Sequence, residues 1–561
     1  MRKSLLALLV LSGGIVCAQR YTTKGFQVKV TQNVEYAVNI DFLTSDFSNQ
    51  GQVATDVTAI KTALAMGQPI PATHFDPNDP GSDVKVARLR MDIYEPMNDT
   101  ITDRPVIVYV HTGNFLPPPL NGGPTGRKED STAVYLCREW AKRGFVAVAL
   151  SYRLGWNPLA SGPTGPIVRR ATLLNAVYRA IHDVKECVRS LKEDESNSNT
   201  YGIDPDKIVL YGQGSGGYVA LAYATLDKQS ETEIQKFVYP GTTDSSYVQP
   251  NLVGDIEGFA PSPAALTLYA PNGFSSDVSM VVNAGGALAD TSWLEAGDVP
   301  MVSFQCIRDP FAPFGEGTVI VPTTQEDVVD VQGANVFMAK VNALGNNSVF
   351  SGIPSTGDPF TTRARSMYGV QYDYIYAPPF NKITINSNVE GLFAFERPLG
   401  ASLFQNEGSP WEWWIATDPI PSTVIAPGPP PITAHMAGLQ SNPDMSPAKG
   451  KTYVDTIMGY MIPRVILALE LEAGIGLHEN MVAGAVKMYP NPVHNTLFIK
   501  SEDSDVDIET VEILDVSGRM VSKHVIEPGR AELSTAHLNP GVYMVRVTTN
   551  QGAFASRIMK E

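Results

Sequence analysis

The sequence predicts an α/β fold, a mostly parallel sheet with helices on both faces, followed by a small β-sandwich at the C-terminus. Between residues 85 and 225, apolar strand-like runs alternate with helical segments, an order that places parallel strands under crossover helices. After about residue 480 the pattern changes to short alternating strands separated by turn residues roughly every ten positions, which is typical of a sandwich. A length of 561 residues fits two or three domains.

The first strand–helix alternation lies within residues 85–155. Residues 86–96 alternate like a strand with one exposed face, whereas 104–113 and 145–155 are continuous apolar runs typical of buried strands. Between the two buried runs, residues 131–144 predict a helix that ends at Gly144. The segment therefore predicts the beginning of a sheet that is covered by helices.

Further elements continue the alternation. An amphipathic helix is predicted from apolar side chains at helical spacing: Leu174, Val177, Ile181, Val184, Val188 and Leu191. Residues 206–212 predict a strand and 216–226 a helix. The remaining predicted elements are strands at 299–307 and 382–389 and a long closing helix at 450–472.

The N-terminus has the pattern of a secretory signal peptide. Two cations precede an apolar run from Leu5 to Val10, and small residues lead to a cleavage position after Ala18. That run is too short to cross a bilayer, and no other segment predicts a transmembrane helix. We therefore expect a signal peptide at 1–18, an α/β domain at 19–480 and a β-sandwich at 481–561.

Charge and cysteine content restrict the possible partners. A net charge of −16 argues against nucleic acid as the main partner. After the leader, Cys137, Cys187 and Cys306 have neither the spacing of metal ligands nor that of a disulfide framework. Buried thiols are favoured, and a Cys137–Cys187 pair stays open. We expect no metal and no cofactor.

The last 75 or so residues carry several motifs in a fixed order. These are "YPNP" at 489–492, "DVSGRMV" at 515–521 and "NPGVYMVRV" at 539–547. The segment resembles the carboxy-terminal sorting domain of the type IX secretion system. The resemblance implies engagement of the secretion machinery, export across the outer membrane of a Gram-negative cell, and a secreted or surface-attached product. A generic adhesive β-sandwich is the alternative.

Six phrases of the body of the chain also occur in order: 92–96, 108–115, 150–156, 180–192, 202–217 and 297–314. From about residue 85 to 470 the chain resembles the carboxylesterase and lipase group of α/β-hydrolases. The resemblance implies an α/β-hydrolase fold and a site built for a serine nucleophile, an acid and a histidine base. Function must still be argued from the residues present.

The nucleophile position of this resemblance falls on glycine. Relatives carry Gly-x-Ser-x-Gly-Gly after the strand, and here Gly212 aligns with the first glycine and Gly214 with the serine. The nucleophile is absent in this register. A one-residue slip would instead make Ser215 the nucleophile, with the large Gln213 at a place that needs a small residue. Otherwise Ser215 belongs to the first helical turn.

The acid and the histidine base that the hydrolase resemblance implies have only partial matches in this sequence. Asp309, in "QCIRDPFAPF", corresponds to the acid that would orient a histidine. A turn-capping role for Asp309 is equally compatible with the following proline. The histidine expected after the last strand is replaced by Glu390–Gly391, so His435, in a proline-rich loop, is the remaining candidate base.

The loop after the second strand corresponds to an oxyanion loop. His111, Thr112, Gly113 and Asn114 stand where relatives carry His-Gly-Gly-Gly. Backbone amides stabilise an oxyanion, so Thr112 and Asn114 need not abolish the function, although they restrict the backbone.

Three functions are compatible with these residues. The favoured one is an exported, degenerate hydrolase that binds an ester or another small molecule. The second is an active carboxylic-ester hydrolase that uses Ser215. The third is an adhesin-like surface protein.

Overall fold

The computed structural model describes residues 20–242, 245–321, 326–353, 358–374, 381–387, 389–471, 486–501, 506–515, 519–526, 530–550 and 552–561. The predicted signal peptide, 1–18, lies outside these residues. The described chain forms two compact units, one of residues 25–349 and 368–461, the other of residues 20–24, 350–367 and 462–561. The predicted domain boundary at 480–481 falls outside the described residues.

The larger unit is built on an eight-stranded sheet, ordered β1-β2-β4-β3-β5-β6-β7-β12. β2 runs antiparallel to its neighbours β1 and β4, and every pair from β4 to β12 is parallel, which confirms the predicted fold class. The strands are β1 (Val28–Asp41), β2 (Lys85–Pro96), β3 (Arg104–Val110), β4 (Val146–Leu150), β5 (Ile203–Gln213), β6 (Met280–Ala284), β7 (Met301–Cys306) and β12 (Leu392–Phe395).

Helices follow most of these strands. They are α1 (Gln50–Ala65), α2 (Ser131–Ala141), α3 (Gly165–Asn197), α4 (Ser215–Thr225), α5 (Pro250–Val253), α6 (Ala334–Ala343), α7 (Pro359–Arg365), α8 (Ala434–Ser441) and α9 (Pro447–Ala468). The buried apolar stripe of α3 includes five of the six side chains predicted from periodicity, and Val177 is only partly buried. The helix begins at Gly165, ahead of that stripe. Every residue of β3 and β4 is buried, as expected of strands covered on both faces.

Short hairpins lie outside the sheet. They comprise β8 (Glu316–Ile320) with β9 (Asp327–Gln332), β10 (Gln371–Tyr374) with β11 (Asn381–Thr384), and β13 (Val424–Ala426) with β14 (Ile432–Thr433). The predicted strand at 382–389 is confirmed at residues 382–384, which form β11, but this strand pairs with β10 and does not belong to the eight-stranded sheet. The last strand of the sheet is β12, so Glu390–Gly391 precedes that strand instead of following it.

The C-terminal residues form two antiparallel sheets, ordered β15-β16-β19 and β18-β17-β20-β21. The strands are β15 (Val486–Tyr489), β16 (Thr496–Ser501), β17 (Ile508–Leu514), β18 (Met520–Val525), β19 (Arg530–Ser534), β20 (Gly541–Thr549) and β21 (Gly552–Lys560). Both sheets contribute to one apolar core, in which Leu497, Val511 and Val545 are fully buried. This β-rich architecture is the one predicted.

Cys137, Cys187 and Cys306 are buried free thiols, so Cys137 and Cys187 are not joined. The Cys187 thiol lies 3.7 Å from the Met91 sulfur. Among the described residues, no helix combines the length and the apolar character needed to span a bilayer.

Candidate active site and its cavity

The turn between β5 and α4 carries Gly214 at its tip. β5 ends at Gln213 and α4 begins at Ser215, and Gly214 joins them with φ 55° and ψ −118°. Its amide donates a hydrogen bond to the Ala284 carbonyl at 2.8 Å. A residue with a side chain rarely adopts this backbone conformation, so the glycine allows a sharp turn without strain.

Close backbone contacts on both sides determine the register of the turn. A Cβ atom on Gly212 would lie 2.0 Å from the Gly216 carbonyl oxygen, and one on Gly216 would lie 2.2 Å from the Val110 carbonyl oxygen. Glycine is therefore required two residues before and two residues after Gly214. These are the positions at which a nucleophile turn needs small residues.

The Thr112 side chain occupies the space beside this tip. A Cβ atom on Gly214 would lie 2.1 Å from Thr112 Oγ1 and 2.9 Å from Thr112 Cβ. Both distances are shorter than real Cβ contacts. Thr112 thus fills the volume into which a nucleophile side chain at position 214 would project.

Ser215 is the first residue of α4, and its hydroxyl is directed at the loop after β3, residues 111–114, for which an oxyanion role is predicted. Its Oγ accepts a hydrogen bond from the Asn114 amide at 3.1 Å and lies 3.4 Å from the Tyr152 hydroxyl. Tyr152 in turn donates to the His111 carbonyl at 2.9 Å. Only 6% of Ser215 is exposed. The hydroxyl is thereby held by groups of the loop, and the Asn114 amide is already engaged.

The oxyanion loop keeps a glycine-like backbone although it contains larger residues. Gly113, Asn114 and Phe115 have φ values of 122°, 53° and 57°. The His111 ring stacks on Tyr152 with 4.3 Å between ring centres, and burial lowers the pKa of His111 to about 4. His111 is therefore a neutral packing residue of this loop at physiological pH.

Asp309 is buried at the end of β7 and holds a turn. Its Oδ1 accepts hydrogen bonds from the amides of Phe311 and Ala312 at 2.8 and 3.1 Å. Burial raises its pKa to about 7 despite these bonds. The chain at Gly408 lies so near that a Cβ there would be 2.6 Å from Asp309 Oδ1. The Gly408 backbone thus packs against the carboxylate that would orient a histidine.

His435 lies on α8 and does not contact Asp309. Its Nδ1 accepts a hydrogen bond from Trp414 Nε1 at 3.0 Å, and Trp414 is its only side-chain partner within the described residues. The expected pairing of His435 with Asp309 is therefore not formed. A proline-rich loop gives no periodic signal from which the orientation of its histidine follows.

A cavity of about 510 Å³ adjoins the turn. Its lining includes Thr112, Gly214, Ser215, Asp309, Glu412 and Trp414, with aliphatic side chains of α3, β8 and β9. No histidine lines it within the described residues. The structure thus brings together Gly214, Ser215, Asp309 and the oxyanion loop, but it leaves out the expected base.

Glu412 is a residue of this cavity that the sequence analysis missed. Its Oε1 accepts a hydrogen bond from Gln213 Nε2 at 2.6 Å, and the Thr125 hydroxyl is a second partner. The enclosed position and the nearby Asp130 and Asp309 carboxyls raise its pKa to about 8. The only sequence signal was an acid among tryptophans in "SPWEWW".

Two family models match the chain. The BD-FAE model matches residues 168–262, which include Gly214, and the secretion system C-terminal sorting domain matches residues 487–561. The chain carries an esterase-like α/β-hydrolase domain and a type IX sorting domain. The sorting domain marks an exported protein of a Gram-negative bacterium, either secreted or attached to the outer-membrane surface, and it implies engagement of the secretion machinery.

Solved esterase structures are similar to part of the hydrolase domain. Esterase 2 of Thermogutta terrifontis with propionate bound has 19% identity over 41% of this chain and 70% of its own, with a TM-score of 0.25. The same esterase phosphorylated by paraoxon has 21% identity over 41% and 69%, with a TM-score of 0.26. MGS-M1, an α/β hydrolase from a Medee basin deep-sea metagenome, has 13% identity over 40% and 66%, with a TM-score of 0.23.

Proposed function

We propose that this exported protein is a degenerate esterase that binds an apolar small molecule in the hydrolase cavity and does not hydrolyse esters. The observation that carries the proposal is the glycine at the tip of the β5–α4 turn, with Thr112 filling the adjacent space. A hydrolase of this fold attacks its substrate with a side-chain oxygen at that tip. Gly214 has no such atom.

The expected loss of rate is large. Removal of the nucleophile from a catalytic triad lowers kcat by roughly 10⁶ and leaves only binding and oxyanion stabilisation. A further loss reinforces this one, because His435 is hydrogen-bonded to Trp414 and does not line the cavity. A cavity of about 510 Å³ remains, which lies within the usual range of small-molecule sites.

Hydrolysis by Ser215 is the second candidate, because this hydroxyl lines the same cavity. Against it stand the helical position of Ser215 and its bond with the Asn114 amide. A nucleophile also requires a neighbouring base. Within the described residues, the Ser215 hydroxyl has the Asn114 amide and the Tyr152 hydroxyl as partners, and no hydrogen bond joins it to an imidazole.

An esterase assay with a matched control tests the proposal. The unmodified protein and the variants Ser215→Ala and Ser409→Ala are each purified and assayed with p-nitrophenyl acetate and p-nitrophenyl butyrate. Each variant removes one hydroxyl group from the cavity lining. We expect all three proteins to remain at the rate of an inert protein. Hydrolysis that Ser215→Ala abolishes and Ser409→Ala preserves would establish the second candidate instead.

Ligand binding is tested separately with octanol, a neutral apolar probe, by calorimetric titration. We expect one octanol per chain. Ala437→Trp narrows the cavity from α8 and should weaken binding at least tenfold. Met436→Trp adds the same ring at the neighbouring exposed position, which does not line the cavity, and should leave binding unchanged. Equal effects of the two variants would contradict binding in this cavity.

A further inference from the structure

The hydrolase cavity carries acids without bases. Within the described part of the chain, Asp309 and Glu412 are the only ionisable acids that line the cavity, and no lysine, arginine or histidine lines it. The other lining groups are mainly aliphatic and aromatic. Because like charges repel strongly in a desolvated site, such a cavity disfavours carboxylate ligands and favours cations.

Glu412 is the acid that would attract a cationic ligand. It accepts hydrogen bonds from the Gln213 amide and the Thr125 hydroxyl, and it forms no ion pair with any described residue. Part of its surface stays accessible, since it faces the cavity. A positively charged group in the cavity would therefore give this carboxylate the counter-ion that the surrounding residues do not supply.

The remainder of the lining fits an apolar cation. Trp156, Tyr218 and Trp414 present aromatic surfaces to the cavity, and aromatic faces attract ammonium groups. The β8–β9 hairpin adds a branched aliphatic wall of Val319, Ile320, Val329 and Val331. This wall suits a hydrocarbon chain.

We infer that the ligand of this cavity is an amphiphilic amine, whose ammonium group pairs with Glu412 and whose hydrocarbon part contacts the hairpin wall. The inference rests on the proposed binding function and specifies its ligand class. When both acids are ionised, a free fatty acid is disfavoured, since its carboxylate would meet those of Glu412 and Asp309.

The ionisable groups around the cavity determine how amine binding should depend on pH. Burial, with Asp130 and Asp309, raises the pKa of Glu412 to about 8, while Gln213 and Thr125 oppose the shift. Asp309 faces Tyr218, Tyr374 and Cys306 and accepts from the Phe311 and Ala312 amides; burial raises its pKa to about 7. An alkylammonium keeps its proton up to about pH 10, so the carboxylates decide the change. Amine binding must therefore tighten as the pH rises from 6 to 9.

Calorimetric titration with octylamine, octanol and octanoate tests the inference on the full exported chain. At pH 9 we expect octylamine to bind at least tenfold more tightly than octanoate, and octylamine affinity to fall at least fivefold at pH 6. Octanol binding should not change with pH. Glu412→Gln should reduce the preference for amine over octanol to less than threefold, whereas Glu193→Gln, an exposed acid of α3, should preserve it.

The failures of the two proposals are distinguishable. Octanol binding without an amine preference, or an amine preference that survives Glu412→Gln, would overturn the ligand class and leave the binding function standing. If none of the three probes binds, the binding function and the ligand class both fail.

Discussion

At the tip of the β5–α4 turn, two residues that depart from the family pattern fit each other sterically. Gly214 leaves a volume empty, and the Thr112 side chain enters it, 2.1 Å from where a Cβ on Gly214 would lie. Neither residue can return to the family pattern alone without a cost. A serine at position 214 would overlap Thr112, and a glycine at position 112 would leave a void beside Gly214.

We predict a non-additive effect of restoring both family residues. Gly214→Ser should lower the free energy of unfolding by about 2–4 kcal/mol, because it combines a positive φ with overpacking. Adding Thr112→Gly removes the overlap, so the double variant should be at least about 1 kcal/mol more stable than the sum of the single effects. Urea unfolding followed by tryptophan fluorescence measures this. All six tryptophans lie in the hydrolase unit.

The control for this cycle is Thr125→Gly, which also removes a threonine from the cavity lining but does not lie beside position 214. It should show no coupling to Gly214→Ser. If the effects of Gly214→Ser and Thr112→Gly on the free energy of unfolding were strictly additive, the side chains at positions 112 and 214 would not compete for the same volume. Gly214→Ser should remain inactive toward p-nitrophenyl esters, alone or combined with Thr112→Gly, since His435 is hydrogen-bonded to Trp414 and no histidine lines the cavity within the described residues.

Among the secondary-structure elements, the loop after β4 and helix α3 are joined by a buried ion pair. Arg153 Nη2 lies 2.9 Å from Asp183 Oδ1, and both side chains are fully buried. The Arg153 amide and the Tyr269 hydroxyl donate to the same carboxylate, each at 2.7 Å. Two of the phrases on which the hydrolase resemblance rests, 150–156 and 180–192, thus meet in one contact. Arg153 and Asp183 thus stabilise the fold, and neither of them lines the cavity.

We predict that Asp183→Ala lowers the free energy of unfolding by about 3–5 kcal/mol, because it leaves the Arg153 charge buried without its carboxylate. The paired replacement Arg153→Met with Asp183→Leu should lose less than Asp183→Ala, since it buries no unpaired charge. Glu193→Ala, at an exposed position of the same helix, is the control and should change stability by less than about 0.5 kcal/mol. An equal loss in the paired and single variants would show that the charge is not the cause.

Elements with a strong local pattern were predictable from the sequence. The buried strands β3, β4 and β5 and the apolar stripe of α3 follow directly from continuous or helically spaced apolar residues. β6 and β12 were not predicted, because β12 covers only four residues and the apolar run of β6 ends at Asn283. β4 is as short as β6 but lies in the longer apolar run at 145–155. Of the predicted strand at 382–389, residues 382–384 belong to β11, which forms a small hairpin with β10.

In the candidate site, only the residues that directly follow strands of the sheet could be placed from the sequence. Gly214, Asp309 and the oxyanion loop follow strands, so their place at the sheet edge follows from the strand order. Glu412, Gly408 and His435 lie between β12 and α9, in a segment whose path depends on long-range packing. No local pattern distinguishes the acid that faces the cavity from the histidine that bonds a tryptophan.

For the whole molecule, export and binding are assigned to different parts of the sequence. The sorting domain matches residues 487–561, and the described residues that line the cavity all lie between 112 and 442. We therefore predict that a change confined to the sorting domain abolishes surface or extracellular location and leaves the hydrolase domain unaffected. Val511 is fully buried in the core of the sorting domain, whereas Val525 is 82% exposed.

The prediction compares Val511→Asp with Val525→Asp in the native bacterium. The first variant places a charge in an apolar core, which a small β-domain cannot accommodate, so the protein should stay inside the outer membrane. The second carries the same new charge on the surface and should be exported normally. Cell fractionation and protease treatment of intact cells measure the location of each. Export of the Val511→Asp protein at the level of the Val525→Asp protein would contradict the requirement for a folded sorting domain, because the two differ in where the charge lies and not in composition.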